Sequence, residues 1–323
     1  MYDHQAKKLN EQGTFKEIVV EISARQLSAK SETLRQMSMF LTQAVFMEVC
    51  VHPKPGLVTR HGGGAHTDMS ILTFAAGSAV LAKAFSDLQI LGMKHNGNYQ
   101  ELFGKVRRYG VSAEQELLRV TKGVNTQRGI LFAGGLLAGF GMCGWSAGAA
   151  MNKGLDSKAL CSIVAEMTQG LTENELAGLQ ADRPLTAGER LYQAYGITGI
   201  RGEVEAGFPS VRQNGLPGLK EAFAKGAGLN DALVHALVHL MTVVQDSNVI
   251  WRGGYAKLPF VQQRARDILA QGSIFTDSGR RLLAESEELF RNERISPGGS
   301  ADLLSVTAAL YLVENKEFPV AII

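Results

Sequence analysis

Apolar residues recur at three- and four-residue steps along most of the chain after residue 30, which is the spacing of one face of an α-helix. Few stretches show the two-residue alternation that is typical of strands. The pattern predicts helices over 31–51, about 69–92, 112–122, 129–150, 156–170, 186–195, 217–226, 230–250, 258–271, 277–292 and 300–314. We therefore expect an all-α fold, with one large bundle-like domain over residues 31–323 and an accessory extension over residues 1–30.

The first predicted helix directs a carboxylate toward the core. Its apolar face, which includes Met37, Leu41 and Ala44, reaches Glu48 one turn later. A buried carboxylate without a partner is strongly unfavourable, so Glu48 should be neutral, paired or metal-bound. The alternative is a glutamate at the helix end that bends out to water.

The loop after this helix combines charged groups with a permissive backbone. The two prolines that flank Lys54 end the helix and hold this lysine in extended backbone. The glycine run 62–64 lets N–H groups turn inward, as they do in anion-binding loops, and His66 and Asp68 add two titratable groups. A solvated surface loop can have the same composition, so the residues alone leave both interpretations open.

Three later segments also combine charge with glycine. Glu203 and Glu205 would share one face in an extended chain, which the surrounding glycines favour. Arg201 beside them could bind a phosphate, hold the two acids ionised, act together with a metal, or form part of a surface turn with an ion pair. Arg252 precedes two glycines and suits a bidentate phosphate contact. The turn 297–300, with Ser300 as a predicted N-cap, is either an anion site at a helix start or a plain cap.

A histidine pair lies one helical turn apart in the predicted helix over 230–250. His235 and His239 could chelate a metal together with Asp246, although such a pair more often forms a polar helix face. We favour the polar face here.

The composition limits the classes of partner. The 33 Lys and Arg residues nearly balance the 31 Asp and Glu residues, and the resulting formal charge of +2 argues against a broad nucleic-acid surface. Three scattered cysteines form no disulfide framework or zinc motif, which fits a reducing cytoplasm. The first thirty residues lack the apolar region of a secretory signal. We expect a cytoplasmic protein without a nucleic-acid partner.

The run 129–151 carries no charged residue and is long enough to span a bilayer. It contains seven glycines and is flanked by one cation on each side. We interpret it as a buried pair of helices against which other helices pack closely, and expect no membrane association.

Several motifs in one order resemble a known enzyme family. They are Lys54–Val58, Gly64–Met69, Val124–Gly129, Gly199–Pro209, Asp246–Gly254 and Ile295–Leu304. The family is that of the triphosphoribosyl-dephospho-CoA synthases, which make the precursor of the prosthetic group of citrate lyase and malonate decarboxylase. The resemblance covers residues 31–313.

The resemblance implies a pentosyltransferase that moves the triphosphoribosyl group of ATP to the ribose 2′-hydroxyl of 3′-dephospho-CoA and releases adenine. Mg²⁺ would accompany ATP, and the product would pass to a holo-acyl-carrier-protein synthase. Such a reaction breaks an N-glycosidic bond. It needs proton transfer, stabilisation of an oxocarbenium-like sugar and neutralisation of the phosphates.

The matched motifs suggest which residues meet these needs. Proton transfer and cation stabilisation would fall to Glu48, Glu203, Glu205 and His66. Substrate binding would fall to Lys54, Gly56, Asn125, Thr126, Arg128, Arg201, Asn248, Arg252, Ser296, Gly298, Gly299 and Ser300. Asp68 and Asp246 would hold Mg²⁺ on the triphosphate.

Two positions depart from the family pattern. Gln127 and Arg128 replace the expected His-Lys pair, and Thr59 replaces an expected Asp. The loss of an imidazole and a carboxylate leaves open a non-catalytic paralogue that binds ATP or dephospho-CoA, or a nucleotide N-glycosidic hydrolase. The remaining acidic residues argue against a pure binder of polyanions. The sequence leaves the oligomeric state open.

Overall fold

The computed structural model describes residues 36–96, 98–141, 157–177 and 184–322. Within these ranges the chain forms helices and no β-strand, which confirms the predicted all-α fold. The helices are α1 (36–50), α2 (Ile71–Lys94), α3 (Tyr99–Val120), α4 (Arg128–Leu136), α5 (Ser157–Met167), α6 (Ala187–Tyr195), α7 (Ile200–Glu205), α8 (Leu216–Ala224), α9 (Leu229–Met241), α10 (Ser247–Gly253), α11 (Lys257–Ala270), α12 (Asp277–Asn292) and α13 (Gly298–Asn315). The predicted extension over 1–30 lies outside the described residues.

Shorter helical segments lie between these helices. Leu137–Gly141, Glu173–Ala177 and Val211–Gly215 are π-helical, and Ser273–Phe275 is a 3₁₀ turn. The first of these continues α4 directly, and the third leads directly into α8.

Two apolar helices form the centre of the core. Helices α9 and α13 pack against each other, and both are buried along most of their length because apolar residues occupy nearly all of their sides. Helix α8 packs on α9, while α4 and α10 pack on α13. This packing brings the start of α13 close to α4 and α10, which come from distant parts of the sequence.

Most of residues 130–138 of the uncharged run are buried in this core, and the segment packs closely against α2. A Cβ added at Gly134 would lie 2.8 Å from Phe85 Cε1, and one added at Gly135 would lie 2.9 Å from Leu88 Cδ1. Glycine therefore permits the close contact that we expected. Among the described residues, α2 is long and apolar enough to span a membrane, a test that core helices also pass.

Two predicted helices have different bounds because polar side chains cap helix ends. Helix α3 was predicted to begin at residue 112, but it begins at Tyr99. The Asn98 side chain caps this start by accepting a hydrogen bond from the Glu101 N–H. The predicted helix over 230–250 is two helices, α9 and α10. The apolar pattern runs on without a break, but α9 ends at Met241 and a new helix starts at Ser247, where the Asp246 carboxylate is the N-cap.

Candidate active site

A cleft of about 740 Å³ opens between α1, α4, α7, α10 and the start of α13. The structure brings many of the predicted site residues together on its walls, although their motifs are far apart in the sequence. The predicted residues that line it are Glu48, His66, Asn125, Thr126, Arg128, Arg201, Glu203, Asn248, Arg252, Ser296, Gly298 and Gly299. The predicted residues that do not line it are Lys54, Gly56, Asp68, Glu205, Asp246 and Ser300.

Glu48 is buried in an ion pair at the cleft wall. The Lys54 ammonium, which is 1% exposed, donates a hydrogen bond to the Glu48 carbonyl at 2.6 Å and forms an ion pair with the Glu48 carboxylate. Burial raises the pKa of Glu48, and the Lys54 charge opposes that shift. Of the three states expected for a buried Glu48, which were neutral, paired or metal-bound, the structure shows the paired one, and the alternative of a solvent-facing glutamate is wrong.

Gly56 fixes the path of the loop after Lys54. Its φ of +73° lies in the left-handed region, and an added Cβ would lie 2.0 Å from the Ile295 carbonyl oxygen. The loop is therefore held closely against the segment that leads into α13. This contact places Ser296 beside the loop.

His66 links the glycine-containing loop to that segment. Its Nε2 lies 2.7 Å from the Ser296 Oγ. Burial and the Arg252 charge lower the pKa of His66 to about 4, so its imidazole is neutral near neutral pH. The Asp68 carboxylate lies 3.8 Å from the other ring nitrogen but is largely exposed and outside the cleft.

Asp246 connects the starts of α10 and α13. Its Oδ1 accepts hydrogen bonds from the N–H groups of Asn248 and Gly299, both at 3.1 Å. Its Oδ2 accepts bonds from Ser300, at 2.8 Å from N–H and 3.0 Å from Oγ–H. Helix α13 begins at Gly298 after an N-cap at Pro297, so Ser300 is not the N-cap that we predicted. The N–H groups at 299 and 300 are engaged by this carboxylate.

Glu203 and Glu205 point to different surroundings because their segment is helical. We predicted an extended loop here, which is wrong: α7 separates residues two apart onto different faces. Glu203 lines the cleft and accepts hydrogen bonds from the Ser210 N–H and hydroxyl, while burial raises its pKa. Glu205 instead accepts the N–H groups of Gly170 at 2.6 Å and Thr172 at 3.1 Å.

Arginines line the cleft on several sides. This cationic rim consists of Arg107, Arg128, Arg201 and Arg252. Glu175 binds two of its members, lying 2.8 Å from Arg107 Nη2 and 2.8 Å from Arg201 Nε. These pairs hold guanidinium groups toward a space that a phosphorylated ligand could enter. The sequence analysis missed Arg107, which lies in none of the motifs and is identified by its position in the fold.

Asp302 is a cleft carboxylate that the sequence analysis also missed. Its Oδ1 accepts a hydrogen bond from the Ile130 N–H at 3.1 Å, and a Cβ added at Gly129 would lie 1.9 Å from its Oδ2. Burial, together with the charges of Glu48 and Asp246, raises its pKa well above the usual range. The sequence did contain a signal for this residue: Asp302 is a carboxylate in the first turns of an otherwise apolar, buried helix.

The two departures from the family pattern occupy different places. Gln127 is buried and lines the cleft, and its Nε2 donates a hydrogen bond to Ser78 Oγ at 3.1 Å. Thr59 is buried in the loop, where its Oγ1 accepts the His61 N–H, and it does not line the cleft. The substitution at 127 can therefore affect the site directly, whereas the one at 59 can act only through the loop.

Carboxylates with raised pKa values and an arginine rim on one cleft are the groups of an enzyme that acts on a phosphorylated substrate. A family model described as ATP:dephospho-CoA triphosphoribosyl transferase matches residues 34–318. The chain belongs to this transferase family, which confirms the family that the motifs resemble.

Individual relatives agree with this assignment. A probable 2-(5''-triphosphoribosyl)-3'-dephosphocoenzyme-A synthase of Malonomonas rubra is 38% identical over 287 residues, which cover 88% of this chain and 89% of that protein. The 2-(5''-triphosphoribosyl)-3'-dephosphocoenzyme-A synthase of Klebsiella pneumoniae is 36% identical, with coverage of 88% and 93%. The synthase of the same name from Pectobacterium atrosepticum is 38% identical, with coverage of 86% and 89%. No solved structure matches the chain.

Proposed function

We propose that this chain transfers the triphosphoribosyl group of ATP to the 2′-hydroxyl of 3′-dephospho-CoA and releases adenine. The observation that carries the proposal is the gathering of three carboxylates, Glu48, Glu203 and Asp302, and the cationic rim on one cleft in a chain of this transferase family. The product would serve as the precursor of the prosthetic group of citrate lyase or malonate decarboxylase.

The reaction exchanges one bond at C1′ of the ATP ribose. The bond from C1′ to adenine N9 breaks, and a bond from C1′ to the acceptor 2′-oxygen forms. The acceptor hydroxyl loses one proton and the departing adenine takes up one proton, so the protons balance. The triphosphate stays intact, and the rim arginines would hold it through bidentate contacts.

These three carboxylates fit different tasks. We assign the proton that adenine takes up to Asp302, because its strongly raised pKa favours the protonated form. Glu203, also in the cleft, would accept the proton of the acceptor hydroxyl. Lys54 favours the ionised form of Glu48, whose negative charge would stabilise the positive sugar of the transition state.

Polar groups around these acids would orient the substrates. Asn125, Asn248 and Ser296 line the cleft and offer hydrogen bonds to ribose or phosphate oxygens. His66 is neutral and bonded to Ser296, so it would position that hydroxyl rather than carry charge. Orientation of both substrates in one cleft would also exclude water from C1′ and favour transfer over hydrolysis.

Mg²⁺ with ATP is part of the proposal. The ion prefers oxygen ligands, and the buried Thr126 Oγ1 and Gln127 Oε1 have no hydrogen-bond partner within the part of the chain that the structure describes. Thr126 lines the cleft, and its oxygen would be the one available to an ion that arrives with the triphosphate, whereas Gln127 Oε1 packs against Gly77 of α2. The ion would supply charge neutralisation when bound. Asp68 and Asp246 do not line the cleft, and their role as metal ligands stays a prediction.

The cellular setting belongs to the same proposal. A cytoplasmic enzyme of this kind would take ATP and 3′-dephospho-CoA from solution and pass its product to a holo-acyl-carrier-protein synthase. The family assignment supports the two substrates.

Product analysis tests the proposed reaction. The purified chain is mixed with ATP, Mg²⁺ and 3′-dephospho-CoA, and the products are separated by chromatography with mass detection. We expect adenine together with triphosphoribosyl-dephospho-CoA in equal amounts. Adenine with free ribose triphosphate would indicate a hydrolase, and binding of both ligands without either product would indicate a non-catalytic paralogue.

A further inference from the structure

Glu221, on α8, and the histidine pair on α9 form a cluster of metal-ligand atoms outside the cleft. The Nε2 atoms of His235 and His239 lie 3.1 Å apart. The Glu221 Oε2 lies 3.7 Å from the first and 3.9 Å from the second. The carboxylate beside the two histidines is thus Glu221, whereas Asp246 faces α10 and α13.

The spacing of these three atoms fits a small divalent ion. The smallest equal distance from one point to all three atoms is about 2.1 Å, the distance at which Zn²⁺ binds imidazole nitrogen and carboxylate oxygen, and this point lies in the plane of the three atoms. A small movement of Glu221 toward the histidines would let the ion leave that plane and accept a fourth ligand. The three ligand atoms already lie within 3.9 Å of one another, so no helix has to move to bring them together. The donor set of two imidazoles and one carboxylate also suits Zn²⁺ better than Mg²⁺, which prefers oxygen ligands alone.

Neighbouring residues hold one of the imidazoles in the orientation that metal binding needs. His235 Nδ1 lies 2.9 Å from the Oγ of Ser273, a buried residue whose φ of +51° is rare for serine. If this nitrogen carries the proton, Nε2 is left as the lone-pair donor toward the cluster, as in many zinc sites. The Phe275 ring packs edge-on against His235 at 5.2 Å between centroids.

The other two ligands are also positioned by their surroundings. A Cβ added at Gly218 would lie 2.7 Å from His239 Cδ2, so glycine leaves the space that this ring occupies. Lys225 Nζ binds the Glu221 Oε1 at 2.5 Å, which leaves Oε2 directed to the histidines. The Glu221 side chain is 42% exposed, so an ion and a water ligand could reach the cluster.

We propose that Glu221, His235 and His239 bind one Zn²⁺ ion, with water as the fourth ligand, at a site that joins α8 to α9. The site lies near the end of α9, and Val243, Val244 and Gln245 of the following segment line the cleft. An ion here would hold that segment in place without contacting the substrates.

Metal titration of the untagged full-length chain tests this site. After removal of metal with a chelator, Zn²⁺ is added and followed by calorimetry. We expect one ion per chain and a rise in the unfolding temperature, because the ion binds the folded state. Co²⁺ should give the visible absorption of a tetrahedral complex, and Mg²⁺ should not compete.

Variants identify the ligands. His239→Gln and Glu221→Gln should abolish the tetrahedral Co²⁺ spectrum and weaken Zn²⁺ binding strongly, while circular dichroism shows that both still fold. Ser273→Ala should weaken binding by about 10- to 100-fold, as expected for an outer-shell partner. The same affinity in wild type and His239→Gln would overturn the proposal.

Two control variants separate this site from other binding. His95→Gln, at the end of α2, and Asp302→Asn, in the cleft, should both bind Zn²⁺ with unchanged affinity. Loss of Zn²⁺ binding in Asp302→Asn would place the ion in the cleft. An absence of Zn²⁺ binding to wild type would mean that the cluster is a hydrogen-bonded histidine pair only, and would also overturn the proposal.

Discussion

Asp302 is a single residue whose surroundings set its chemistry. Asp302 is half-buried at the cleft wall, and desolvation together with the negative charges of Glu48 and Asp246 raises the pKa of its carboxyl group. The Lys54 ammonium forms an ion pair with Glu48, while the Asp302 carboxylate accepts a hydrogen bond from the Ile130 N–H. A buried acid among other acids keeps its proton at higher pH, which is the state that a proton donor requires.

Asp302→Asn should lower the turnover by about 10²- to 10⁴-fold, because the amide keeps the shape of the side chain but cannot give a proton to adenine. Adenine release at saturating ATP and 3′-dephospho-CoA measures the effect. Asp277→Asn, an exposed acid in the first turn of α12, is the matched control and should keep wild-type turnover. Unchanged turnover in Asp302→Asn would exclude it as the proton donor.

The raised pKa of Asp302 also predicts how stability varies with pH. The folded chain binds this proton more tightly than the unfolded chain, so the contribution is complete below the unfolded-state pKa of about 4 and is lost as pH rises through the folded-state pKa. The free energy of unfolding of wild type minus that of Asp302→Asn should therefore fall with rising pH. Urea unfolding at a series of pH values tests this, and a constant difference would contradict it.

Glu203 and Glu205 form a matched pair of variants. Glu203→Gln should abolish most turnover, because Glu203 lines the cleft and Glu205 does not. The loss of stability should be small, since the remaining amide oxygen can accept the Ser210 N–H while the Ser210 hydroxyl rotates to accept a hydrogen bond from the new NH₂ group. Glu205→Gln should destabilise the fold by about 1–3 kcal/mol, since an amide group would meet the Gly170 and Thr172 N–H donors, and should keep turnover per folded molecule. Adenine release and urea unfolding of both variants distinguish these effects. Normal turnover in Glu203→Gln together with lost turnover in Glu205→Gln would assign the catalytic role to Glu205 instead.

At the scale of helices, Asp246 does more than its position in a motif indicates. The apolar pattern over 230–250 is continuous, and only the hydrogen bonds from α10 and α13 show why the helix stops. One carboxylate thereby sets the directions of two helices whose starts face the cleft. The periodicity predicted helical structure here. It could not predict that the Asp246 carboxylate also accepts a hydrogen bond from the distant Gly299 N–H, because that contact depends on the packing of the fold.

Asp246→Ala should lower the free energy of unfolding by about 3 kcal/mol, because it removes a cap from α10 and leaves N–H groups of α13 without their acceptor. Urea unfolding measures the loss. The Mg²⁺ dependence of turnover at a temperature where the variant is folded tests the predicted metal role separately. An unchanged Mg²⁺ requirement would show that Asp246 acts as a cap alone.

At the scale of the whole molecule, the sequence predicted the fold class better than the geometry of the site. Apolar periodicity was sufficient for the all-α fold, and most of the site residues that were predicted line the cleft. Arg107 was missed because packing between distant helices brings it to the cleft. Asp302 lies inside the motif Ile295–Leu304 but was not assigned to the site, because the motif does not show that α13 directs this carboxylate toward α4. Lys54 was predicted to contact phosphate, yet its ammonium is buried against Glu48, because a nearby buried acid is a stronger partner than solvent.

The charge of the whole molecule also bears on how the substrate is held. The formal charge is only +2, so attraction of ATP has to come from the local cationic rim rather than from a long-range field. Arg252→Ala should raise the KM for ATP by about 10- to 100-fold, as expected for loss of a charged hydrogen bond, with a smaller change in kcat. The KM for ATP of Arg252→Lys should lie between those of wild type and Arg252→Ala, since lysine keeps the charge but not the bidentate geometry.

Arg281→Ala, an exposed arginine on α12 that does not line the cleft, is the control for that measurement and should leave both constants unchanged. Steady-state kinetics at several salt concentrations separate local contact from general attraction. If Arg252 acts by direct contact, the ratio of KM values between variant and wild type should persist at high salt, where long-range attraction is screened. A ratio that disappears with salt would mean that Arg252 contributes only to the field around the cleft, and triphosphate binding would then rest on the other three arginines of the rim.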